Sequence, residues 1–357
     1  MFDRIGADEY EQVVFCHDRA TGLRAIVAIH STRLGAALGG TRFYPYASED
    51  EGLEDVLRLA RGMTYKAAAA GLDLGGGKAV IFGDPARDKT EALMRAYGRY
   101  VDALGGRYLT AEDVGTTQDD MDLLRRETRF VTGASVELGG SGDPSTATAY
   151  GVLWAMKAVA RRLWGDTSLA GRHVAVAGVG KVGRALIGHL VEERARVTVA
   201  DVSPAAVDWA VAEAGAEAVA VEKIHAVECD IYSPCALGGS LSGETIPELR
   251  CAAVVGSANN QLADGVASAR LLADAGVLYA PDFVANAGGL INIAEELAPG
   301  GYRPDRAGTA VQRIFETVAS VLQAAAADGV TTAEAADRRA ENRIAALSAV
   351  HQIRPPT

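Results

Sequence analysis

The chain has 357 residues, 49% of them hydrophobic, which is too long for one ordinary core and implies two domains. It holds no apolar run of about eighteen residues, so no membrane span is expected. The net charge of −11 argues against nucleic acid or an anionic membrane as partner, but not against a small anion held by local lysines.

The start, "MFDRIGADEYEQ", lacks an apolar core segment, so no secretory signal is expected. Cys16, Cys229, Cys235 and Cys251 form no CxxC pair and no cluster with metal spacing. Free thiols, no metal and a cytoplasmic location are the expectation.

Residues 10–30 alternate apolar and polar around "DRATG", which predicts two strands and a turn. Residues 49–70 predict a helix, with Leu53, Val56, Leu57, Ala60 and Met63 at helical steps. "KAVIFG", after the glycines 75–77, predicts a short strand, residues 88–104 a helix, and "RYLTAEDVG" a strand ending in a loop. The polar stretch "ELGGSGDPSTATAYG" from Glu137 reads as a hinge, with Ser145 or Thr146 as the cap of a long helix. From Gly171 onward, short apolar strands alternate with helices, the pattern of a doubly wound parallel sheet. Segments 306–327 and 332–348 read as alanine-rich helices.

The fold class expected is therefore α/β with two domains. An N-terminal α/β domain would span 1–140. A Rossmann-type dinucleotide-binding domain would span 141–330, and the helices of 331–357 would return to the first.

"GVGKVG" places Gly178, Gly180 and Gly183 in GxGxxG spacing, with Val179, Lys181 and Val182 between them. Alone the pattern is weak, but a strand precedes it, a helix follows, and a second strand ends in Asp201. Gly178 would permit the tight turn, Gly180 the approach of a pyrophosphate, and Gly183 close helix–sheet contact. The helix N-terminus favours phosphate, and Asp201 would accept from a ribose 2′-hydroxyl while repelling a 2′-phosphate. No arginine lies in the "DVSPAAVD" that follows, so NAD is expected over NADP.

"YKAAAAGLDLGGGKAVI" holds Lys66 and Lys78 either side of three glycines. It is not a phosphate-binding P-loop, because Leu72 stands where the first glycine is needed and Ala79 where Ser or Thr is needed. A dinucleotide domain implies hydride transfer. For an amino acid substrate, a cation must hold the carboxylate and a base must take protons from the ammonium and from water. Two lysines in a water-poor cleft would supply a charged clamp and a base of lowered pKa, with Asp113 as a candidate proton relay. Spacing alone leaves two solvated lysines as an alternative.

Long stretches in order resemble the leucine/phenylalanine/valine dehydrogenase branch of the amino acid dehydrogenase family. They are "LGAALGGTRFYPY", "GMTYKAAAAGLDLGGGKAVI", "GGRYLTAEDVGT", "VAGVGKVG", "YSPCALGG", "VVGSANNQL" and "LYAPDFVANAGGLINIAEE". Within the branch the likeness runs closest to valine dehydrogenases.

The resemblance implies that Lys66, with backbone near Gly39 and Gly40, holds the substrate carboxylate. It implies that Lys78 is the catalytic lysine and that Asp113 exchanges a proton with the amino group. Asn259 or Asn260 would contact substrate or the nicotinamide end. Ser145 and Thr148 would lie near the nicotinamide amide, and Ala236, in "YSPCALGG", on the cofactor side. The first domain would make subunit contacts, giving at least a homodimer, and the second would close against it.

Leu38 stands where glutamate dehydrogenases carry a lysine. An incoming γ-carboxylate would be desolvated and unpaired there, which argues against glutamate. Ala111, Leu290 and Ile293 are the other implied pocket positions, an aliphatic lining in which a bulky Leu290 favours a short branched side chain. The expected reaction is reversible oxidative deamination of a branched-chain L-amino acid, valine first, to its 2-oxo acid and ammonia. A phenylalanine dehydrogenase and a non-catalytic NAD sensor are the alternatives. A hydroxy-acid dehydrogenase would want a cleft histidine, and His17, His30, His173, His189, His225 and His351 lie outside these motifs.

Overall fold

A computed structural model describes residues 2–7 and 9–350. It divides into two compact units. The first holds the chain up to Asp143, Ile293–Pro304 and the chain from Ala340 on; the second holds Pro144–Asn292 and Asp305–Arg339.

After a short helix α1 (Phe2–Ala7), the first unit runs β1 (Gln12–Asp18), β2 (Leu23–Ser31), β3 (Ala37–Tyr44), α2 (Glu49–Ala69), β4 (Gly75–Phe82), α3 (Glu91–Ala103), β5 (Tyr108–Glu112) and α4 (Gln118–Arg125). The sheet order is β1-β2-β4-β3-β5. β2 pairs antiparallel with β1 and β4, while β3 runs parallel to β4 and β5, so the sheet is mixed. Alternate residues of β4 face opposite layers. Val80 packs with Leu53, Val56 and Leu57 of α2, and Ile81 with Leu93, Met94 and Tyr97 of α3. Each such buried aliphatic side chain contributes about 1.5–3 kcal/mol relative to exposure. Ser48 caps α2 by accepting from the Glu51 amide, and acidic residues fill the first turn, where the helix dipole favours them.

The first unit differs from the sequence expectation in several elements. The glycines 75–77 do not precede the strand but form its first three residues, paired at Gly76 and Gly77 with β2 on one side and, at Gly75 and Gly76, with β3 on the other. β3 itself was not expected, nor was α4. β3 lies between two strands and is almost wholly buried, so it shows no alternation, and its two glycines lower its strand propensity.

The second unit begins with α5 (Ser145–Trp164), followed by β6 (His173–Ala177), α6 (Lys181–Glu192), β7 (Arg196–Ala200), α7 (Pro204–Ala214), β8 (Glu217–Ala218), β9 (Ile231–Pro234), β10 (Ala253–Val254), α8 (Gly265–Asp274), β11 (Leu278–Tyr279), α9 (Asp282–Ala285), α10 (Gly288–Ala294), α11 (Pro304–Gln312), α12 (Ile314–Asp328) and α13 (Thr332–Val350). Two of these helices, α10 and α13, run on into stretches that belong to the first unit. The sheet is parallel, in the order β11-β10-β9-β6-β7-β8. The strand order reverses beside β6, with β7 on one side and β9 on the other, the switch point where doubly wound sheets bind ligands.

Neither Ser145 nor Thr146 caps α5; Pro144 holds the N-cap position and no side-chain cap bond forms. The helix expected over 306–327 is two helices, broken at Arg313. Among the described residues no helix is long and apolar enough to cross a membrane, and no cluster of His, Cys, Asp and Glu could hold a metal.

Candidate functional site

In the first unit, β4 carries Lys78 in its buried middle and the end of β5 leads into Asp113. Lys78 Nζ lies 2.7 Å from Asp113 Oδ2, with the two side chains only 9% and 20% exposed. Burial pushes the Asp113 carboxyl up. The charges of Lys78 and Arg42, the Lys78 hydrogen bond and the Val114 amide outweigh that and bring it down to about 2. The backbone around Asp113 is held independently of its carboxylate. Its amide donates to Thr116 Oγ1 at 2.9 Å, and that hydroxyl donates to the Thr41 carbonyl of β3 at 2.8 Å.

The glycines explain how backbone and lysine come so close. A Cβ on Gly76 would stand 2.1 Å from the Thr64 amide nitrogen of α2, and one on Gly75 would stand 1.9 Å from the Ser31 carbonyl oxygen. On Gly39 it would meet the Gly77 carbonyl at 1.8 Å, and on Gly40 the Glu112 carbonyl at 2.4 Å and Asp113 Cβ at 2.9 Å. The glycines therefore let β3, β4 and α2 close on one another around Lys78. Tyr108, on β5, donates from its hydroxyl to the Gly39 carbonyl at 2.7 Å and so fixes the peptide that leads into Gly40. Burial pushes the Tyr108 phenol up to about 12, which keeps it a donor.

Lys66 lies in the last turn of α2 and is half-buried. Leu38 is wholly buried on β3, and Ala111 is buried on β5 opposite Gly40. Ile293 is also buried.

In the second unit the GxGxxG turn joins β6 to α6. Gly178 has φ +106°, a conformation that favours glycine, and a Cβ there would press on Ala236 at 2.8 Å. A Cβ on Gly183 would meet the Gly178 carbonyl at 2.1 Å, so the helix sits against the turn. Gly180 differs: no atom lies within 4 Å of its Cβ direction. That open face, at the N-cap of α6, is where a pyrophosphate can approach the unpaired amides of a first helical turn. Asp201, at the end of β7, accepts from the Val179 amide through Oδ2 at 2.6 Å and from the Ser203 amide through Oδ1 at 2.8 Å. The turn therefore fits a dinucleotide, with Asp201 fixed against the Gly178–Gly183 loop.

The remaining sequence-chosen residues of this unit fall around α5, α10 and the loop after β10. Thr148 Oγ1 donates to the Pro144 carbonyl at 3.0 Å and lies 2.6 Å from where a Gly289 Cβ would stand. Ser145 opens α5, and Leu290 is buried on α10. Asn259 and Asn260 are exposed, and Asn260 has φ +52°, which asparagine tolerates. Of the histidines, His30 bonds Thr64 and His173 bonds Thr198, while His351 lies outside the described residues.

The sequence reading missed three residues. Arg42 contacts Asp113 directly, Tyr108 holds the Gly39 peptide, and Asn286, 2% exposed, donates to Asn259 Oδ1 at 2.8 Å. A charged residue inside the small and apolar run "LGAALGGTRFY" was the one available signal for Arg42. The other two act through partners far away in sequence.

Buried proton-handling groups in one unit and a dinucleotide turn in the other are what a two-domain dehydrogenase brings to its reaction, and that is the class this fold defines. Residues 10–130 match the Glu/Leu/Phe/Val dehydrogenase dimerisation domain, and residues 139–210 and 205–354 match the Glutamate/Leucine/Phenylalanine/Valine dehydrogenase domain. The chain is 53% identical over 347 residues to a leucine dehydrogenase of Bacillus cereus, covering 97% of this chain and 94% of that protein. It is also 53% identical over 341 residues to a valine dehydrogenase of Streptomyces coelicolor, covering 94% and 92%. Its fold is similar to the crystal structure of L-tryptophan dehydrogenase from Nostoc punctiforme, with TM-score 0.85, 42% identity and 98% and 100% coverage. The chain belongs to the Glu/Leu/Phe/Val dehydrogenase family and is an amino acid dehydrogenase, an oxidoreductase acting on CH–NH2. The sensor alternative is thereby set aside. Equal identity to leucine and valine dehydrogenases does not rank the two substrates.

Proposed function

We propose that this enzyme deaminates branched-chain L-amino acids with NAD, valine ahead of leucine and isoleucine, and that it works in the cytoplasm as a homo-oligomer. The observation that carries the reading is the buried Lys78–Asp113 pair. It is a proton-handling device enclosed by the glycine-lined backbone of β3 and β4.

The roles follow from the chemistry. The Lys66 ammonium and the amides of Gly39 and Gly40 hold the substrate carboxylate. Asp113 takes a proton from the substrate ammonium, which frees the nitrogen lone pair that drives hydride departure from Cα. Gly178–Gly183 and Asp201 would hold the pyrophosphate and ribose of NAD+, with Ala236, Ser145 and Thr148 nearer its other parts, and the nicotinamide when bound would supply the hydride acceptor. Lys78 then takes a proton from water as its oxygen bonds to the iminium carbon. Asp113 returns a proton to nitrogen, and ammonia leaves, carrying off the carbinolamine hydroxyl proton as ammonium, so that the C–O bond becomes the carbonyl of the 2-oxo acid. In sum, amino acid, water and NAD+ give 2-oxo acid, ammonium, NADH and a proton. Each turnover releases a proton, so deamination is favoured as pH rises.

Leu38, Ala111, Leu290 and Ile293 supply the aliphatic side-chain pocket, and Asn259 or Asn260 the polar contact beside it. The bulk of Leu290 supports valine over larger side chains, although one methylene separates substrates by only about 1–3 kcal/mol. The test is kcat/KM with NAD+ for L-valine, L-leucine, L-isoleucine, L-phenylalanine and L-glutamate. An aliphatic branched substrate is expected to lead and glutamate to trail. Phenylalanine in first place would remove the pocket argument while keeping the chemistry.

A further inference from the structure

We infer that Arg42 is a positioning residue for the reaction: it orients the Asp113 carboxylate between Lys78 and the substrate amine, and is itself held in place by Asp55. The inference rests on the roles proposed above for Lys78 and Asp113.

Arg42 Nε lies 3.3 Å from Asp113 Oδ2, the same oxygen that Lys78 Nζ reaches at 2.7 Å. Both cations converge on one oxygen. The other edge of the guanidinium lies 2.8 Å from Asp55 Oδ2 through Nη1. Asp55 is fixed in turn by the Tyr46 hydroxyl at 2.6 Å and by Arg58 at 2.7 Å. The whole chain of groups is shielded, with Arg42 22%, Asp55 13% and Asp113 20% exposed at the side chain.

A planar guanidinium with donors on two edges can bridge two carboxylates at fixed angles, which an ammonium cannot. α2 thus supplies an anchor, β3 a rigid strut, and the loop after β5 the carboxylate that is aimed. The backbone of Asp113 is already secured through Thr116 and Thr41, so Arg42 acts on the side chain. The charged and titratable groups around Asp113 are Lys78 from β4, Arg42 from β3 and Tyr108 from β5, with Asp55, Tyr46 and Arg58 behind Arg42. Removing the fixed positive charge of Arg42 makes each proton on the Lys78–Asp113 pair harder to lose.

The experiment compares Arg42→Met and Arg42→Lys, each in the wild-type and the Asp113→Asn background, by kcat, KM, the pH profile of kcat/KM with L-valine and NAD+, and Tm. Arg42→Met is expected to lower kcat by about tenfold to a hundredfold. Its pH profile should move to higher pH, while the KM for NAD+ stays as in the wild type. Arg42→Lys should recover the pH profile and part of the rate. In the Asp113→Asn background, Arg42→Met should cost less than about twofold more, because its partner is already disabled. An unchanged kcat and pH profile in Arg42→Met, or the same loss in both backgrounds, overturns the inference. If Arg42→Met does not fold, Arg42→Lys and Asp55→Asn carry the test: a several-fold lower kcat supports the inference and wild-type values in both overturn it. A wild-type enzyme silent on every amino acid overturns the underlying site reading, and is recognised by that control before any variant is compared.

Discussion

The two glycine-rich segments use the same residue against different neighbours. On β4, a side chain at Gly75 or Gly76 would strike the protein's own backbone, that of Ser31 or Thr64. In the β6–α6 turn, Gly178 and Gly183 likewise serve internal fit, but Gly180 faces open space. One segment is small so that a strand and a helix can close around a charged pair. The other keeps one glycine for something that arrives from outside. The electrostatics divide in the same way. The β4 segment encloses a buried charged pair, while the β6–α6 turn offers backbone amides and one carboxylate, Asp201, that is tied to them.

The comparison is sharpened most by removing the charge that the first segment encloses. Lys78→Ala is expected to lower kcat by about a thousandfold while leaving NAD+ affinity near the wild-type value. A fully active variant would end the role of the pair. Next come paired glycine substitutions. Gly76→Ala should destabilise the fold by about 3 kcal/mol, several degrees in Tm, because the Thr64 backbone cannot yield. Gly180→Ala should leave Tm unchanged yet weaken NAD+ binding by about tenfold. If Gly180→Ala is the one that unfolds, the contrast between the two segments is reversed.

Acid should expose the charged pair as well. The Asp113 carboxyl is held below its ordinary 3.8, at about 2, so its contribution to stability is full above pH 4 and is lost as pH falls through about 2. That contribution is of order 2 kcal/mol. Asp113→Asn should flatten denaturation midpoints across this window, whereas parallel curves would mean that other groups set the acid response. Smallest is the effect at Asp201. Asp201→Ser should narrow the preference for NAD+ over NADP+ by about tenfold, and an unchanged ratio of kcat/KM would assign ribose reading to another group.

The second unit was the more legible in sequence because its signal is local. Strand, turn, helix and acid follow one another from His173 to Asp201, and the expected α/β alternation appears as a parallel sheet. The first unit was read less well. β3 was hidden by its own burial and by Gly39 and Gly40, which look like a turn when the flanking strands are unseen. Lys78 and Asp113 were nominated from motifs, yet nothing local states that they touch. Arg42 was invisible as a participant because its meaning lies in Asp113, 71 residues on, and Asp55, 13 residues on. Such a group is recognised only when the strands have been laid side by side.

The most direct test of the account follows the hydrogen on Cα. Purified enzyme is given L-valine deuterated at Cα together with NAD+, and the reduced nicotinamide is examined by mass spectrometry alongside the rate of its formation. The account predicts deuterium on the nicotinamide and 2-oxo acid released in equal amount. Reduced cofactor without deuterium, or no reduction with cofactor bound, would contradict it.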